Sequence, residues 1–366
     1  MIKFLDLYKQ DKNLHKSILN KIDKLFKKGD FILGNEVSSF EKNFSKFSGS
    51  KYAIGCANGT DALTMALSSL DLPRNSEVII PAMTYCSTAF SVLKANLKPI
   101  LVDTDFLKST ISIDELKKKI TKKTKVILPV HLYGSVANLT EIKKIIGNKK
   151  IYLIDDCAQA HGAFEEISNK RSKKKIGSIA DISCFSLYPG KNLGAYGDAG
   201  IITTNNKNFY NKLRKLRNLG SEKKFIHELV GYNSRLDTIQ AIVLNAKLKN
   251  LSKYNLQRQK IAKYYNQNII NSKITKINYS KYCVFHQYII LVKDRARLIK
   301  LFKKKKISFG FHYPYAINQL KVFKDYFKNK RYKNAEKLAK ESISLPIDPN
   351  LSLQKIKFIT KTLNEF

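Results

Sequence analysis

Short, nearly unbroken apolar runs recur through the first half of the chain: "YAIGCA" from 52, "EVIIP" from 77, "KPILVD" from 98, "KVILPV" from 125, "IYLID" from 151, "ISCFS" from 182 and "AGIITT" from 199. A strand with one wet face alternates apolar and polar residues, whereas a strand apolar throughout is covered on both faces. Between many of these runs the apolar residues fall at three- and four-residue spacing, which predicts helices over 60–71, 84–95, 112–120 and 138–147. An amphipathic helix is also predicted over 13–28, with Leu14, Ile18, Ile22, Leu25 and Phe26 on one side. Strand–helix alternation of this kind predicts an α/β fold built on a mainly parallel sheet of about seven strands.

That rhythm stops at a long helical pattern over 235–268. Beyond it, "FHQYIILV" reads as a strand, and 295–305, 331–342 and 353–364 read as helices, which together predict a smaller α+β unit. The chain is therefore divided into a large unit, 1–245, and a small one, 246–366, with no internal repeat and no low-complexity linker. At 366 residues and 43% apolar content it can bury cores of that size.

Composition narrows the setting. "MIKFLDLYKQDKN" is charged too early for a secretory segment, and no apolar run approaches the roughly 20 residues that span a bilayer, so no membrane insertion is expected. Cys56, Cys86, Cys157, Cys184 and Cys283 are odd in number and widely spaced, which speaks against a disulfide framework or a zinc site and fits a reducing cytoplasm. The net charge of +38 suggests nucleic acid at first sight. Its lysines, however, are spread over "KIDKLFKK", "ELKKKITKKTK", "EIKKIIGNKK", "NKRSKKK" and "LFKKKK", several of them on stretches with helical apolar spacing. No finger, RNP-like pair or helix-turn-helix unit accompanies them, so no specific nucleic acid is expected. A positive field that draws in anionic substrates is.

In a sheet of this type ligands bind at the carboxyl ends of the strands, and three of those ends carry distinctive chemistry. After "YAIGCA", Asn58-Gly59-Thr60-Asp61 opens a helix; glycine permits close approach and the helix start offers free N–H groups, which suits a phosphate. After "IYLID" come Asp156, Gln159 and His161; two adjacent carboxylates, Asp155 and Asp156, cannot both be buried and charged without a cationic partner such as a protonated ring nitrogen. After "ISCF" come Ser186, Tyr188 and Lys191, a lone lysine among Gly190, Gly194, Gly197 and Gly200. Burial lowers the pKa of a lysine, and a neutral amine attacks a carbonyl to form an imine. Taken singly, each has an ordinary explanation: a helix cap, two solvated carboxylates, a surface lysine. Together they are the parts that pyridoxal 5′-phosphate requires.

With "NGTDAL", "PAMTYCST", "PVHLYG", "DDCAQAHGA", "SLYPGKNLGAYGDAG" and "GYNSRLDTIQA" in that order, the chain resembles the DegT/StrS family of pyridoxal-phosphate-dependent nucleotide-sugar aminotransferases from "FLDL" to "SLPIDPNL". The resemblance implies the type I aspartate aminotransferase fold. It implies that Lys191 forms the imine with the coenzyme and shuttles the proton, and that Asp156 keeps the ring nitrogen protonated. Gln159 would lie near the ring hydroxyl, Tyr85 would stack on the ring, and Gly59, Thr60 and Ser186 would cradle the phosphate. It further implies a homodimer with shared active sites, in which Asn233 reaches the neighbouring subunit's phosphate. The reaction implied is ping-pong, from L-glutamate to a keto carbon of a nucleotide-linked sugar, in the making of amino sugars for surface glycans such as lipopolysaccharide O-antigen.

The "YPGKNLGAYGD" form is similar to members that act on dTDP-3-keto-6-deoxyhexoses, which implies Tyr188, Tyr232, His312 and Tyr313 near the sugar or its diphosphate and Arg235 as a phosphate partner. The alternative within the family is amination at C4 of a dTDP-, UDP- or GDP-4-keto-6-deoxyhexose. Histidine in place of the lysine would mark a dehydratase, and Lys191 argues against that branch. Ala199 and Cys157 depart from the common glycine and alanine, and Asn318 stands where many members have histidine, which bears on the sugar-nucleotide mouth. Two readings of other classes stand against this one: a DNA-binding regulatory relative without catalysis, and a silent scaffold. Neither explains why Asp156, Gln159 and Lys191 occur together.

Overall fold

A computed structural model describes every residue except 168–171 and 224. In chain order the first strands are β1 (Tyr52–Cys56), β2 (Glu77–Pro81), β3 (Lys98–Val102), β4 (Thr124–Ile127) and β5 (Tyr152–Asp156). A hairpin of β6 (Phe164–Ile167) and β7 (Ser172–Lys175) follows, then β8 (Ile182–Ser186) and β9 (Gly200–Thr204). Strands β1 to β5, β8 and β9 form one seven-stranded sheet in the order β1-β9-β8-β5-β4-β2-β3. Four neighbouring pairs are parallel; β9 runs antiparallel to both β1 and β8. All seven apolar runs are strands of this sheet.

Alternate residues of the strands enter two cores, which is why the runs are continuous in sequence. Ile54, Val78, Ile80, Val126, Ile154, Ile182 and Ile202 pack on one face with the helices Gly59–Ser68 and Cys86–Lys94. Ala53, Ile79, Ile127, Leu153, Phe185 and Ile201 pack on the other with the helices Asn35–Ser48, Ile113–Lys119, Leu139–Ile146 and Thr238–Leu248. Each fully buried Ile, Leu or Phe contributes on the order of 1.5–3 kcal/mol relative to exposure.

The predicted helix over 13–28 is a short 3-10 turn, Lys12–Leu14, followed by the helix His15–Lys28. Ile18 and Leu25 are buried against Ile242 and Val243. Phe26 is not on that stripe: it is 60% exposed and meets Phe31 instead, because it lies about 80° around the helix from Ile18. The long pattern over 235–268 is two helices, Thr238–Leu248 and Leu251–Asn268, parted at Lys249 and Asn250.

The chain continues from β9 through the hairpin β10 (Ser221–Lys223)–β11 (Ile226–His227) to β12 (Ile274–Lys276), β13 (Tyr288–Val292) and β14 (Ser342–Leu345). The last three form an antiparallel sheet. Tyr288, Ile290, Ile343 and Leu345 share a core with the helices Leu251–Asn268, Arg295–Lys304 and Leu353–Asn364. Ile2 from the chain start joins this core, whereas Ala316, Ile317, Phe323 and Leu338 join that of the large sheet. A division after residue 245 is proposed as the limit of the folding units; across it the cores interlock. Residues 172–175 of the basic turn form strand β7, and residues 169–171 lie outside the described residues. Among the described residues no helix is long and apolar enough to cross a membrane.

Candidate active site

The sheet order brings the carboxyl ends of β1, β8 and β5 to one edge, where they open on a cavity of about 770 Å³. The helix Gly59–Ser68 begins directly after β1, capped by Asn58, whose Oδ1 accepts from the Asp61 amide at 2.8 Å. A Cβ on Gly59 would lie 2.6 Å from Cβ of Ser186, so only glycine lets this helix start approach the end of β8. Thr60 donates its hydroxyl to Ser87 at 2.8 Å, and the Ser186 hydroxyl accepts from the Tyr188 amide at 3.4 Å. The amides of a helix's first turn have no intrahelical acceptor, and here they face a wall of hydroxyls.

Asp155 and Asp156 point to opposite faces of β5 and meet different partners. Asp155 accepts at 3.1 Å from His131, and both side chains are fully buried. The Ala137 amide donates to His131 Nδ1 at 3.0 Å, so the ring hydrogen sits on Nε2 and the histidine is the neutral tautomer. Asp156 lines the cavity. Its Oδ2 accepts from Thr88 at 2.8 Å and its Oδ1 from the Ala158 amide at 3.1 Å. Burial pushes its carboxyl above the usual range, opposed by those two hydrogen bonds and by the charge of Lys191. Such a group gains most from a cation placed against it.

Lys191 hangs from the loop after β8, whose turn is closed by its own amide donating to Tyr188 O at 2.9 Å. Burial lowers its pKa to about 8, against the pull of Asp156 in the other direction. The side chain keeps some accessible surface because it lines an open cavity, yet the protein around it withholds enough water to disfavour the ammonium. Among the described residues lining the cavity, the cations are Lys94 and Lys191.

The opposite wall is aromatic and polar. Gln159 accepts from the Tyr133 amide at 2.5 Å and donates to the Tyr313 hydroxyl at 2.8 Å. Tyr133 in turn donates to His312 O, and the Tyr85 and Tyr313 rings lie 5.3 Å apart. His312 bonds Ser344 Oγ through Nδ1 at 2.7 Å, and its ring stacks on Phe4 at 5.9 Å. Burial lowers the pKa of His312 to about 4 and that of His161 to about 3, so both are neutral; His161 donates through Nε2 to Ser186 O at 2.9 Å.

The cavity thus gathers Gly59, Thr60, Tyr85, Asp156, Gln159, Ser186, Tyr188, Lys191, His312 and Tyr313 from positions spread over the whole chain. Three residues lie outside it. Tyr232 shares a hydrogen bond of 2.9 Å with Ser68 and packs against the large core, and Arg235 donates to Asn218 at 3.1 Å. Neither side chain enters this chain's own cavity: Tyr232 meets the end of the helix Gly59–Ser68, and Arg235 turns to Asn218, just past the helix Lys207–Leu216. Asn233 is exposed and bridges Asn218. Asn318 does not line the cavity either; its amide donates to Glu336 at 3.0 Å and to Lys330 O at 3.3 Å. Cys157 and Ala199 are buried and fit.

Sequence reasoning missed Phe4, Leu5, Ser87, Lys94, Asp198, His286 and Gln287 as lining residues, and Thr88 as a partner of Asp156. Thr88 was the most accessible of these, one turn beyond Tyr85 on a helix that starts at a strand end. The others acquire meaning only from long-range contacts.

The donor set suits pyridoxal 5′-phosphate: a helix start and hydroxyls for an anion, a buried carboxyl short of a cation, and an amine that is largely neutral in mildly basic solution. A family model for the DegT/DnrJ/EryC1/StrS aminotransferase family matches residues 12–364. The chain is 37% identical, over 100% of its length and 99% of the relative, to a dTDP-3-amino-3,6-dideoxy-alpha-D-galactopyranose transaminase of Aneurinibacillus thermoaerophilus. It is 35% identical, over 100% of its length and 98% of the relative, to a pleiotropic regulatory protein of Geobacillus stearothermophilus. Among solved structures it is similar to S. venezuelae DesV in complex with a ketimine intermediate, with a TM-score of 0.94 at 30% identity over 100% of this chain and 98% of the other.

Proposed function

The chain belongs to the DegT/DnrJ/EryC1/StrS aminotransferase family, and from that premise we propose that it moves an amino group from L-glutamate to C3 of a dTDP-linked 3-keto-6-deoxyhexose in the making of an amino sugar. The coarser statement stands without the proposal: this is a nucleotide-sugar aminotransferase of a pyridoxal-phosphate-dependent family. The observation that carries the reading is the pairing of Lys191, its amine held to a pKa of about 8, with the buried Asp156 in one cavity.

Pyridoxal 5′-phosphate, when bound, supplies an aldehyde that accepts nitrogen and a ring that draws electrons from the carbon losing its proton. Gly59, Thr60 and Ser186 would hold its phosphate, Asp156 would hold the ring N–H, and Gln159 and Tyr85 would serve the ring hydroxyl and the ring face. Lys191 would hold the coenzyme's aldehyde carbon, and its Nζ would carry the proton between the reacting carbons. Tyr188, His312 and Tyr313 border the sugar. Asn233 serves the neighbouring copy in a homodimer with shared sites, a reading supported by its exposure outside its own chain's cavity.

Support for C3 comes from the "YPGKNLGAYGD" stretch and from the name of the Aneurinibacillus relative. Other relatives take UDP-linked sugars or form GDP-perosamine, so nucleotide and carbon are what the experiment must read. Purified protein, coenzyme and glutamate are presented with dTDP-, UDP- and GDP-linked 3-keto and 4-keto sugars, and the new amine is located by NMR. Amine at C3 of a dTDP sugar is expected; amine at C4 overturns the carbon, and no amine on any sugar overturns the reading.

A regulatory reading has the name of the Geobacillus relative and the net charge of +38 in its favour. It predicts salt-dependent retention on DNA without the visible absorbance of a lysine-bound coenzyme.

A further inference from the structure

Gln287 lines the same cavity as Lys191 and His312, immediately before β13. It is 5% exposed, and its Oε1 is buried with no hydrogen-bond partner. A buried amide oxygen left unpaired is destabilising, so its persistence calls for a reason.

The orientation of that amide is set by a chain of hydrogen bonds. Asn192 uses both amide hydrogens, donating to Asn255 Oδ1 at 2.9 Å and to Val284 O at 3.0 Å. Its Oδ1 must therefore receive the Nδ1 hydrogen of His286 at 3.2 Å. His286 is buried and kept neutral, which leaves a lone pair on Nε2. Gln287 Nε2 lies 3.5 Å from that lone pair. Turning the amide over would set two acceptors against each other, so the Gln287 oxygen is the atom directed away from His286 and left short of a donor.

We propose that Gln287 is a specificity-determining residue for the sugar half-reaction, its amide oxygen accepting a hydrogen bond from a hydroxyl of the acceptor sugar. The inference rests on the aminotransferase reading above. Glutamate offers two carboxylates, which an acceptor oxygen repels, and one amine, which is consumed at the reacting carbon. A sugar offers hydroxyls that donate. The oxygen is closed to water as it stands, and the terminal torsion of a glutamine is broad, so a small turn brings it to the ligand.

In a ping-pong scheme kcat/KM for each substrate reports only its own half-reaction. The experiment compares coenzyme-loaded wild type with Gln287→Leu on glutamate and on the keto sugar that the wild type aminates. The sugar kcat/KM is expected to fall about tenfold, one lost hydrogen bond, and the glutamate value several-fold less. Equal falls would make the residue a general support of the cavity and overturn the proposal; so would an unchanged sugar kcat/KM. Single-deoxy analogues of the keto sugar test it on the wild type alone, whatever the variant's folding. One of them must lose a similar factor, and Gln287→Leu must be indifferent to that deletion; if every analogue reacts like the parent sugar, the proposal falls. Wild type that aminates no sugar refutes the functional reading itself, whereas normal wild-type turnover with no such split refutes only the role of Gln287.

Discussion

Thr88 donates its hydroxyl hydrogen to Oδ2 of Asp156 at 2.8 Å, and because that hydrogen is spent, the Thr84 hydroxyl must donate to Thr88 at 2.9 Å. The two threonines thus point a row of aligned O–H dipoles at a buried carboxyl from the helix start after β2. With the Ala158 amide on Oδ1, this is what keeps an otherwise unfavourable charge in place.

Thr88→Val removes one of the two hydrogen bonds on Asp156 without changing the volume much. The carboxyl then shifts further upward and holds a ring N–H less well. Coenzyme dissociation is expected to rise about tenfold, followed by absorbance titration of the apoprotein, and both half-reactions should slow together because the same ring serves both. A variant that binds coenzyme like wild type would remove Thr88 from the site.

Lys191→Ala is expected to abolish turnover, since Lys94, the other amine lining the cavity, hangs from the last turn of the helix Cys86–Lys94 rather than from the loop after β8, and it also tests the buried charge. The folded amine gives up its proton near pH 8 and the unfolded one near ~10.4, so between those values the unfolded chain binds more protons and stability rises with pH. Below that window the buried ammonium is a standing cost. Apo Lys191→Ala is therefore expected to melt about 2 °C above apo wild type at pH 7, with the gap closing above pH 10. Calorimetry at the two pH values checks the sign; a lower melting temperature at pH 7 contradicts it.

The seven strands and Lys191 were legible because the signals are local: unbroken apolar runs between helices, and one lysine kept apart from a crowd of them. The helix Asn35–Ser48 was not, although Val37, Phe40 and Phe44 are its buried stripe. Serines and lysines fill the rest of its length and the stripe is only three residues long. The same limit hid Phe4, whose role depends on the His312 ring some three hundred positions away, and Gln287, whose orphaned oxygen is defined by Asn192 and His286. Where Tyr232 and Arg235 lie was not legible for the converse reason. Motif neighbours share a loop, but Ser68 and Asn218 decide where their side chains go.

Asp11 and Lys247 form an ion pair of 2.8 Å with side chains 0% and 3% exposed, and the Tyr196 hydroxyl donates to the same Asp11 oxygen at 3.2 Å. The pair ties the chain start, whose Phe4 and Leu5 line the cavity, to the helix Thr238–Leu248, and Tyr196 ties it to the loop that carries Lys191. Lys247→Met strands a buried carboxylate and is expected to cost about 3–5 kcal/mol in chemical denaturation. Asp11→Leu combined with Lys247→Met should recover most of that loss, because both charges leave together. Equal stability of the single and double variants would show that the pair carries no such coupling.

Asn233 provides the test of shared sites. If its amide serves the phosphate of the neighbouring copy, Lys191→Ala and Asn233→Ala damage different subunits' contributions to one site. Each variant alone is expected to be weak or inactive. Mixed, unfolded and refolded at equal amounts, they form heterodimers in which one site has lost both groups and the other has kept both. Random pairing makes half of the dimers mixed, each with one intact site of two, so activity should return to about a quarter of wild type. A protein whose site is complete within one chain gives no such recovery, because no mixing of Lys191→Ala chains can restore the missing amine to a site that also keeps Asn233. Recovery also requires the two copies to be related by a two-fold axis, since only an isologous contact places each Asn233 against the other's helix start at Gly59. Activity that stays at the average of the two separate variants would show that Asn233 acts, if at all, within its own chain.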